Sequence, residues 1–464
     1  MDFSRVLVVG AGKSGTAAAR FLAAKGAEVE LTDAKNEGEL AEGLASLAGL
    51  KVKFSFGAYP PVERGKYTLV VVSPGVPLDV LPVKQAKELG VPVIGELELA
   101  FRFVRAPVVA VTGTNGKTTT TALTGEIFKT AGFSTLVAGN IGRPLIAEVE
   151  GDYEIVVLEV SSFQLETADE FRPRVGAVLN ITPDHLDRHR TMENYVAAKA
   201  RLFSRQGPED YAVLNFDDPH ARNLSSRCPG RVLFFSRTRE VPAGVFVDDG
   251  WITAVEEGGR KALLPAEEVR IPGAHNLENA LAAAACARAL GVAEEALARA
   301  LRTFPGVPHR LEFVAEIGGV RYVNDSKGTN PDASIKALEA CREPVVLIAG
   351  GRSKGGDFTP FLRLVREKAR ALVLLGECAP ELESLARREG VKAILRAGNL
   401  PEAVRLAKEA ARPGDVVLLS PACASWDMFK NYEERGELFK KAVRDLQPEP
   451  GAPERTGQFQ PGGK

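Results

Sequence analysis

Residues 108–119 run Val108-Val109-Ala110-Val111-Thr112-Gly113-Thr114-Asn115-Gly116-Lys117-Thr118-Thr119, an apolar strand that leads directly into a glycine turn. Small residues in such a turn let backbone N–H groups surround a phosphate. Lys117 places a positive charge near the outer phosphates, and the Thr118 hydroxyl can reach a magnesium ion. The strict pattern has a glycine six residues before the lysine, where this chain has Val111. The stretch predicts a nucleoside-triphosphate site; the alternative is an ordinary strand-to-helix turn with a solvated lysine.

Short β-branched runs alternate with helical stretches from end to end of the chain, which predicts an α/β fold with parallel sheets and crossover helices. A chain of 464 residues exceeds what one core usually fills, so we expect three domains. These are a Rossmann-like domain over 1–93, a central P-loop ATPase-type parallel-sheet domain over 94–303 and a Rossmann-like C-terminal domain over 304–446. The tail 447–464 is rich in Pro, Gly and Glu and is predicted to be disordered.

Composition excludes several classes of partner. The net charge is -1, from 59 Lys and Arg against 60 Asp and Glu, which gives no basic footprint for nucleic acid or for an acidic membrane surface. A predicted strand begins at Val6, which leaves no room for a signal peptide, and no apolar run reaches membrane-spanning length. Five cysteines without a C-x-x-C pair indicate neither a zinc site nor a disulfide framework. We expect a cytoplasmic protein.

The first block carries a second glycine-rich turn, Gly10-Ala11-Gly12-Lys13-Ser14-Gly15, after its first predicted strand. Asp33 follows about 20 positions later, where Rossmann-like sites place an acidic residue for a ribose or base. A further strand ends in Ser73-Pro74-Gly75, on the edge where ligands of parallel sheets bind. The turn fits a dinucleotide or another pyrophosphate. A nicotinamide-dependent oxidoreductase is therefore an alternative, although it leaves the phosphate loop without a purpose.

Three residues of the central block suit phosphate chemistry. Glu159 ends an apolar strand, and together with Thr118 it would supply the hard oxygen ligands of a magnesium-triphosphate site; taken alone it is a surface carboxylate. His185 follows another apolar strand, although a lone loop histidine is more often structural or solvated. Lys199 lies in a helical run and, on the residues alone, reads as a solvated helix lysine.

Amides and polar loops complete the set. Asn276 and Asn279 stand three apart where a helix begins, so they could cap that helix or hydrogen-bond an adenine edge. Three polar loops follow strands of the third block: 324–330, 350–357 and 420–427. Such loops are usually just solvated, yet their small donors and cations also suit a ribose or carboxylate ligand.

Taken together, these motifs resemble the Mur ligase family, the ATP-dependent amide-bond-forming enzymes of peptidoglycan precursor synthesis. The resemblance covers nearly the whole chain. The motifs of the wider family are Gly113–Thr118, Leu158–Leu165, Asn180–Arg188, His275–Asn279 and His309-Arg310. The runs 324–330 and 420–436 resemble the D-glutamate-adding branch. Another Mur ligase or a folate polyglutamate ligase is the nearest alternative, and a nucleotide-dependent regulatory protein is a more distant one.

The resemblance implies a reaction in two stages with ATP and two Mg²⁺ ions as cofactors. The alanyl carboxylate of UDP-N-acetylmuramoyl-L-alanine attacks the γ-phosphate of ATP, and the amine of D-glutamate then displaces phosphate from the acyl phosphate. Because no covalent enzyme intermediate is needed, positioning and charge neutralisation do most of the work. The implied partners are these small molecules alone, and we expect a monomer.

The resemblance also implies roles for individual residues, with Lys117, His185 and Lys199 as the catalytic ones. ATP would contact Gly113, Thr114, Asn115, Gly116, Lys117, Thr118, Thr119, Asn276, Asn279, Arg310 and Asp325. The UDP-linked substrate would contact Ser14, Asp33, Ser73, Gly75, Asn140 and His185. D-Glutamate would contact Thr329, Lys354, Ser425 and Tyr432, the last of which replaces the phenylalanine of the family. The magnesium ligands would be Thr118, Glu159, His185 and a carbamylated Lys199. Lys13, Ala34 and Lys35 differ from the family pattern around the uracil, so the resemblance does not define uracil recognition.

Overall fold

Three separate β-sheets, each covered by helices, form the fold. The computed structural model describes residues 1–140, 142–256, 258–353 and 357–446. The chain divides into two units, Met1–Pro305 and Gly306–Lys464. The first unit contains both of the first two predicted domains, so their boundaries stay predictions. The predicted disordered tail, 447–464, lies outside the described residues. None of the helices in the described part of the chain combines the length and apolar character that a bilayer crossing requires.

The first sheet is parallel throughout, in the order β3-β2-β1-β4-β5. Its strands are β1 (Arg5–Val9), β2 (Glu28–Asp33), β3 (Val52–Phe56), β4 (Leu69–Val72) and β5 (Val93–Gly95). Its helices are α1 (Lys13–Ala24), α2 (Glu37–Leu44), α3 (Leu81–Glu88) and α4 (Glu96–Phe101). The central strands β1 and β4 are almost wholly apolar and buried, because helices cover both faces of a parallel sheet.

The second sheet has nine strands in the order β14-β13-β12-β11-β10-β9-β6-β8-β7. They are β6 (Val108–Thr112), β7 (Thr135–Gly139), β8 (Ile155–Glu159), β9 (Val175–Val178), β10 (Tyr211–Asn215), β11 (Arg231–Ser236), β12 (Gly244–Asp248), β13 (Trp251–Glu256) and β14 (Gly259–Pro265). The helices are α5 (Lys117–Thr130), α6 (Ser162–Glu166), α7 (Leu186–His189), α8 (Met192–Ala200), α9 (Pro219–Asn223), α10 (Ala274–Ala289) and α11 (Glu294–Thr303). Only β12 to β14 pair antiparallel, since Asp249-Gly250 between β12 and β13 is too short for a crossover.

The strand order of this sheet places the residues predicted to bind phosphate and magnesium at one edge. β6 lies between β8 and β9, and the register places Glu159 beside Val111 and Val178 beside Thr112. The carboxyl ends of parallel strands share one edge. The phosphate loop after β6, Glu159 at the tip of β8 and the segment after β9 therefore meet there.

The third sheet has the order β15-β16-β20-β17-β18-β19, and only its edge pair β15 and β16 is antiparallel. Its strands are β15 (Glu312–Ile317), β16 (Val320–Asn324), β17 (Val345–Gly350), β18 (Ala369–Leu375), β19 (Ile394–Arg396) and β20 (Val416–Leu419). Its helices are α12 (Pro331–Ala340), α13 (Thr359–Lys368), α14 (Ala379–Arg388), α15 (Leu400–Ala410) and α16 (Tyr432–Arg444). Two apolar clusters line its two faces. β16, β20 and β17 are neighbours, so the three polar loops predicted from sequence follow adjacent strand ends.

Candidate active site

The phosphate loop between β6 and α5 depends on two glycines with positive φ angles, 153° at Gly113 and 86° at Gly116. A Cβ atom at Gly116 would lie 2.3 Å from Asn279 Oδ1, and one at Gly113 would lie 3.0 Å from Leu179 Cβ. Backbone of this kind is accessible to glycine without steric cost. The loop therefore packs its own backbone against α10 and the end of β9.

Asn180, directly after β9, fixes the loop from the other side. Its Oδ1 accepts a hydrogen bond from Asn115 N at 2.8 Å, and its Nδ2 donates to Asn115 O at 3.1 Å. Its backbone oxygen accepts from Thr114 N at 2.9 Å. The side-chain amide of Asn180 thus forms hydrogen bonds with both the backbone N–H and the backbone C=O of Asn115. Asn180 belongs to a family motif of the sequence, but no role for it was predicted.

Two lysines converge on one carbonyl oxygen of the loop. Lys117 Nζ donates to Gly113 O and Thr114 O, both at 2.9 Å, and Lys199 Nζ donates to Gly113 O at 3.0 Å. The prediction from the residues alone, a solvated Lys199, is wrong, because α8 presses against the loop and leaves the residue 1% exposed. Burial lowers the pKa of Lys199 well below 10.5; Lys117 lowers it further, and Asp184 opposes the shift.

Glu159 is also buried, at 2% exposure, so the alternative of a surface carboxylate is wrong, whereas its role as a magnesium ligand stays a prediction. Its Oε1 accepts from Asn140 Nδ2 at 2.8 Å, whereas Oε2 has no hydrogen-bond partner among the described residues. A buried carboxylate oxygen without a partner is costly, and a bound cation would remove that cost.

The donor atoms around Glu159 fit one kind of magnesium site. The described residues contain no cluster of three or more His, Cys, Asp or Glu side chains that could hold a metal alone. Magnesium keeps several waters and uses one or two carboxylates together with substrate phosphates. One unsatisfied carboxylate oxygen next to a phosphate loop fits that description, since the nucleotide would supply the remaining oxygens.

His185 is the most accessible of the predicted catalytic residues, with 48% of its side chain exposed. It precedes α7 with a φ of 52°, which is uncommon outside glycine. Its Nε2 lies 3.5 Å from Asp184 Oδ2, and its ring meets the edge of Phe163 at a centroid distance of 4.8 Å. At the start of α7, the imidazole therefore lies against the Phe163 ring and remains accessible.

A partly buried polar chain that was not predicted from the sequence lies close to His185, since the Phe163 ring contacts both His185 and His189. Ser162 Oγ is 2.9 Å from His189 Nε2, and His189 Nδ1 is 3.3 Å from Glu166 Oε1. Arg188 donates to Glu166 Oε2 at 2.7 Å and to Pro74 O at 2.8 Å. Burial lowers the pKa of His189, which Glu166 partly offsets. The chain of contacts links the central sheet to the Ser73-Pro74-Gly75 turn.

The residues predicted for the UDP-linked substrate mostly gather at the edge of the first sheet. Asp33 accepts hydrogen bonds from Ala11 N at 2.7 Å and Lys35 N at 2.9 Å, and Ser73 Oγ donates to Gly10 O at 2.9 Å. Ser14 follows in the first turn of α1, and Gly75 follows Ser73. Asn140 directly follows β7 of the second sheet and donates to Glu159 Oε1. In this structure the Asp33 carboxylate stabilises the glycine-rich turn itself.

Asn276 and Asn279 pack behind the phosphate loop. The capping alternative is wrong, because Gly273 is the N-cap of α10 and no side chain caps that helix. Asn276 donates to Pro272 O at 2.7 Å, and Asn279 donates to Asn276 Oδ1 at 3.2 Å. Thr120 Oγ1 in turn donates to Asn279 Oδ1 at 3.2 Å. A role at the adenine stays a prediction.

In the second unit, Asp325 lies at the base of the loop after β16. It is buried, with Ser420 Oγ donating to its Oδ2 at 2.7 Å and Leu311 N donating to its Oδ1 at 3.3 Å. Burial raises the pKa of Asp325 to about 6, although Arg310 acts against the shift. The interpretation of the whole loop as solvated is wrong, since Asn324 and Ser326 are also buried.

Arg435 joins the loops of this unit and was not identified from the sequence. Its buried guanidinium donates to Ser326 Oγ at 3.0 Å, to Ser326 O at 2.8 Å and to Cys423 O at 3.3 Å. Burial lowers its pKa to about 10. Ser326 Oγ donates to Tyr432 O at 2.8 Å. The segments that carry the predicted D-glutamate residues Thr329, Ser425 and Tyr432 are thereby connected, whereas Lys354 lies outside the described residues.

Family models match three successive parts of the chain. They describe a Mur ligase MurD-like N-terminal domain over residues 4–95, a Mur ligase middle domain over 111–287 and a Mur ligase glutamate ligase domain over 309–423. The chain belongs to the Mur ligase family. The resemblance, the α/β class and the three-part architecture predicted from sequence are therefore confirmed, and the oxidoreductase alternative is not supported.

Relatives of this Mur ligase match it over almost their full length. A UDP-N-acetylmuramoylalanine–D-glutamate ligase of Pelotomaculum thermopropionicum is 60% identical over 96% of this chain and 99% of its own. The enzyme of the same name from Alkaliphilus metalliredigens is 49% identical over 95% and 98%. Among solved structures, the UDP-N-acetylmuramate–alanine ligase MurC of Thermotoga maritima has a TM-score of 0.61 at 20% identity, over 96% of this chain and 100% of that one. A pseudomurein peptide ligase type C of Methanothermus fervidus has a TM-score of 0.60 at 18% identity, with the same coverage. These two likenesses concern the fold alone.

Proposed function

We propose that this Mur ligase joins D-glutamate to UDP-N-acetylmuramoyl-L-alanine at the expense of ATP, releasing ADP and phosphate. The observation that carries the proposal is the edge at which the phosphate loop, the unsatisfied Glu159 oxygen and the buried Lys199 amine meet. Full-length relatives at 60% and 49% identity that carry the name of a D-glutamate ligase support the choice of acceptor.

ATP would bind along Gly113–Thr119, with Lys117 exchanging its two carbonyl contacts for phosphate oxygens. The loop amides near the start of α5 favour an anion at that position, because helix N-termini carry partial positive charge. Asn276, Asn279, Arg310 and Asp325 are the proposed contacts of the nucleoside. The lysine charge would offset the negative charge that develops as the alanyl carboxylate attacks the γ-phosphate.

Magnesium would be held by Thr118 and Glu159 at a first position and by His185 and Lys199 at a second. When bound, it would neutralise phosphate charge during transfer. We propose that Lys199 serves there as a carbamate, which forms when a neutral amine adds to carbon dioxide. The lowered pKa of the buried amine supports this, since burial favours the neutral form that reacts with carbon dioxide.

In the second stage the amine of D-glutamate attacks the acyl phosphate, the amide bond forms and phosphate leaves. Thr329, Lys354, Ser425 and Tyr432 are the proposed contacts of the amino acid. Ser14, Asp33, Ser73, Gly75 and Asn140 are those of the UDP-linked substrate. A cytoplasmic, monomeric enzyme is part of the same proposal, and light scattering after gel filtration tests the oligomeric state.

The deciding experiment supplies ATP, Mg²⁺ and UDP-N-acetylmuramoyl-L-alanine with several amino acids in parallel, including D-glutamate, L-glutamate and L-alanine, and measures phosphate release. We expect release that depends on D-glutamate and on the UDP-linked substrate together. Release with a different acceptor would identify another ligase specificity. Release that needs neither substrate would contradict a ligase altogether.

A further inference from the structure

Two cysteine thiols lie in contact in the second unit, at the ends of strands that flank β17. Cys378 follows β18, Cys423 follows β20, and their Sγ atoms are 3.1 Å apart. Both residues are buried, with exposures of 5% for Cys378 and 0% for Cys423. A disulfide needs a sulfur separation of about 2.05 Å, so the two atoms are about 1 Å from bonding distance.

The backbone of Gly351 packs closely against both cysteine loops. Cys378 N donates to Gly351 O at 2.9 Å. A Cβ atom at Gly351 would lie 3.2 Å from Cys423 Cβ and 2.2 Å from Ala424 O. Gly351, directly after β17, therefore lies against both cysteines, whose sulfurs meet at the end of that strand.

The two thiols differ in their surroundings. Either thiol can donate the hydrogen bond between the two sulfurs, and donation by Cys423 lowers the pKa of Cys378. Cys378 is also the N-cap of the ten-residue helix α14, whose partial positive charge favours a thiolate. Cys378 is thus the nucleophile, and it is the more exposed member of the pair.

We propose that Cys378 and Cys423 form a reversible disulfide when the protein meets hydrogen peroxide, which makes this pair a modification site. The Cys378 thiolate attacks one peroxide oxygen, so that an S–O bond forms, the O–O bond breaks and hydroxide leaves. The Cys423 sulfur then attacks the Cys378 sulfenic acid; an S–S bond forms, the S–O bond breaks, and water leaves with the thiol proton. The two thiols lose two electrons and hydrogen peroxide becomes two water molecules.

The disulfide would act on the segment that carries Ser425. Cys423 O accepts hydrogen bonds from the Arg435 guanidinium, and Ser425 lies two residues after Cys423. Drawing the Cys423 sulfur toward Cys378 would shift this backbone and loosen its contact with Arg435. This step rests on the proposed function, in which Ser425 contacts D-glutamate, and it predicts a higher KM for D-glutamate with little change in the KM for ATP.

The test uses the full chain, treated with hydrogen peroxide and then with a thiol-blocking alkylating agent after denaturation. Before alkylation we expect a mass lower by about 2 Da for the loss of two hydrogens. After alkylation we expect two fewer labelled thiols, a linked Cys378–Cys423 peptide and full reversal by dithiothreitol. The KM for D-glutamate should rise at least about tenfold, which corresponds to about 1.4 kcal/mol. The matched variants are Cys378→Ala, which should resist peroxide, and Cys341→Ala, which removes a buried thiol of the same unit and should respond as the wild type does.

Each alternative result contradicts part of the proposal. Unchanged thiols, or a linked peptide that contains a different cysteine, would overturn the modification site. A Cys378–Cys423 disulfide without a change in the KM for D-glutamate would overturn its effect on the loop. If the protein does not use D-glutamate at all, the proposed function fails, and thiol counting and peptide mapping on the wild type still decide whether the disulfide forms. Those two measurements also serve if Cys378→Ala does not fold.

Discussion

Replacing Lys199 by methionine should change stability and activity in opposite directions. The amine is buried and donates to the Gly113 carbonyl oxygen at 3.0 Å, with its pKa lowered well below 10.5 by burial and by Lys117. Methionine has a similar length and no charge. Lys199→Met therefore removes both that hydrogen bond and the cost of keeping an amine out of water.

The pH dependence follows from the direction of the pKa shift. Because the pKa of Lys199 is lower in the folded state, the unfolded state binds more protons between that pKa and 10.5, and stability rises with pH across this window. Neutral pH lies well below 10.5, so the wild type still carries a cost for the buried amine there. We expect this cost to exceed the lost hydrogen bond, which contributes about 1 kcal/mol. The methionine variant should thus be at least as stable as wild type at neutral pH, and its stability should rise less toward alkaline pH.

We expect Lys199→Met to lower kcat even though it does not lower stability. Loss of a group that stabilises transition-state charge reduces kcat by about 10²–10³-fold. If the acting group is a carbamate, Lys199→Arg should be impaired as severely as Lys199→Met, because arginine keeps the opposite charge. Small carboxylic acids should restore part of the activity of Lys199→Ala by filling the vacated space.

Urea unfolding at neutral and alkaline pH measures stability, and ADP release measures activity. ¹³C NMR spectra of the wild type in the presence of ¹³C-labelled bicarbonate would detect the carbamate directly. A methionine variant that unfolds much more readily at neutral pH would refute the reasoning about burial. A fully active arginine variant would show that Lys199 acts as a plain cation or not at all.

Three further changes test neighbouring contacts. Lys117→Ala should abolish nearly all phosphate release with an unchanged circular dichroism spectrum, and turnover near wild type would remove the loop from the mechanism. Gly116→Ala should destabilise the protein by at least about 1–2 kcal/mol, because a non-glycine residue would adopt a left-handed conformation, and its Cβ atom would lie 2.3 Å from Asn279 Oδ1. Asp325 has its pKa raised from 3.8 to about 6, so its contribution to stability is present below pH 3.8 and is lost as pH rises through about 6. Asp325→Asn should remove that loss in pH-dependent urea unfolding, and an unaltered pH profile would show that another group is responsible.

Local motifs were the part of this protein that the sequence could predict. The phosphate loop, the strand that ends at Glu159 and the glycine-rich turn before α1 each lie within a few successive residues, and their chemistry depends on that short spacing. The α/β class followed for the same reason, since strand and helix periodicities are local. The antiparallel strands β12 to β14 were not anticipated, although the two-residue turn Asp249-Gly250 was the signal available.

Burial could not be predicted in the same way because it depends on which elements pack together. Lys199 looked like a surface lysine, and its partner Gly113 is 86 positions away in the chain. The role of Asn180 requires β9 to lie beside β6, which only the strand order reveals. Arg435 was missed because its acceptors belong to loops that follow two different strands.

The two side-chain hydrogen bonds of Asn180 to the backbone of Asn115 restrict which amino acids are tolerated at position 180. A side chain at this position has to accept from Asn115 N and donate to Asn115 O at the same time, and among the amino acids of similar length only asparagine has both groups. Aspartate of the same shape cannot donate in its ionised form, and glutamine is one methylene longer. If position 180 is changed to every other amino acid in turn, only asparagine should therefore support activity. A single residue outside the phosphate loop thus determines the geometry of the loop.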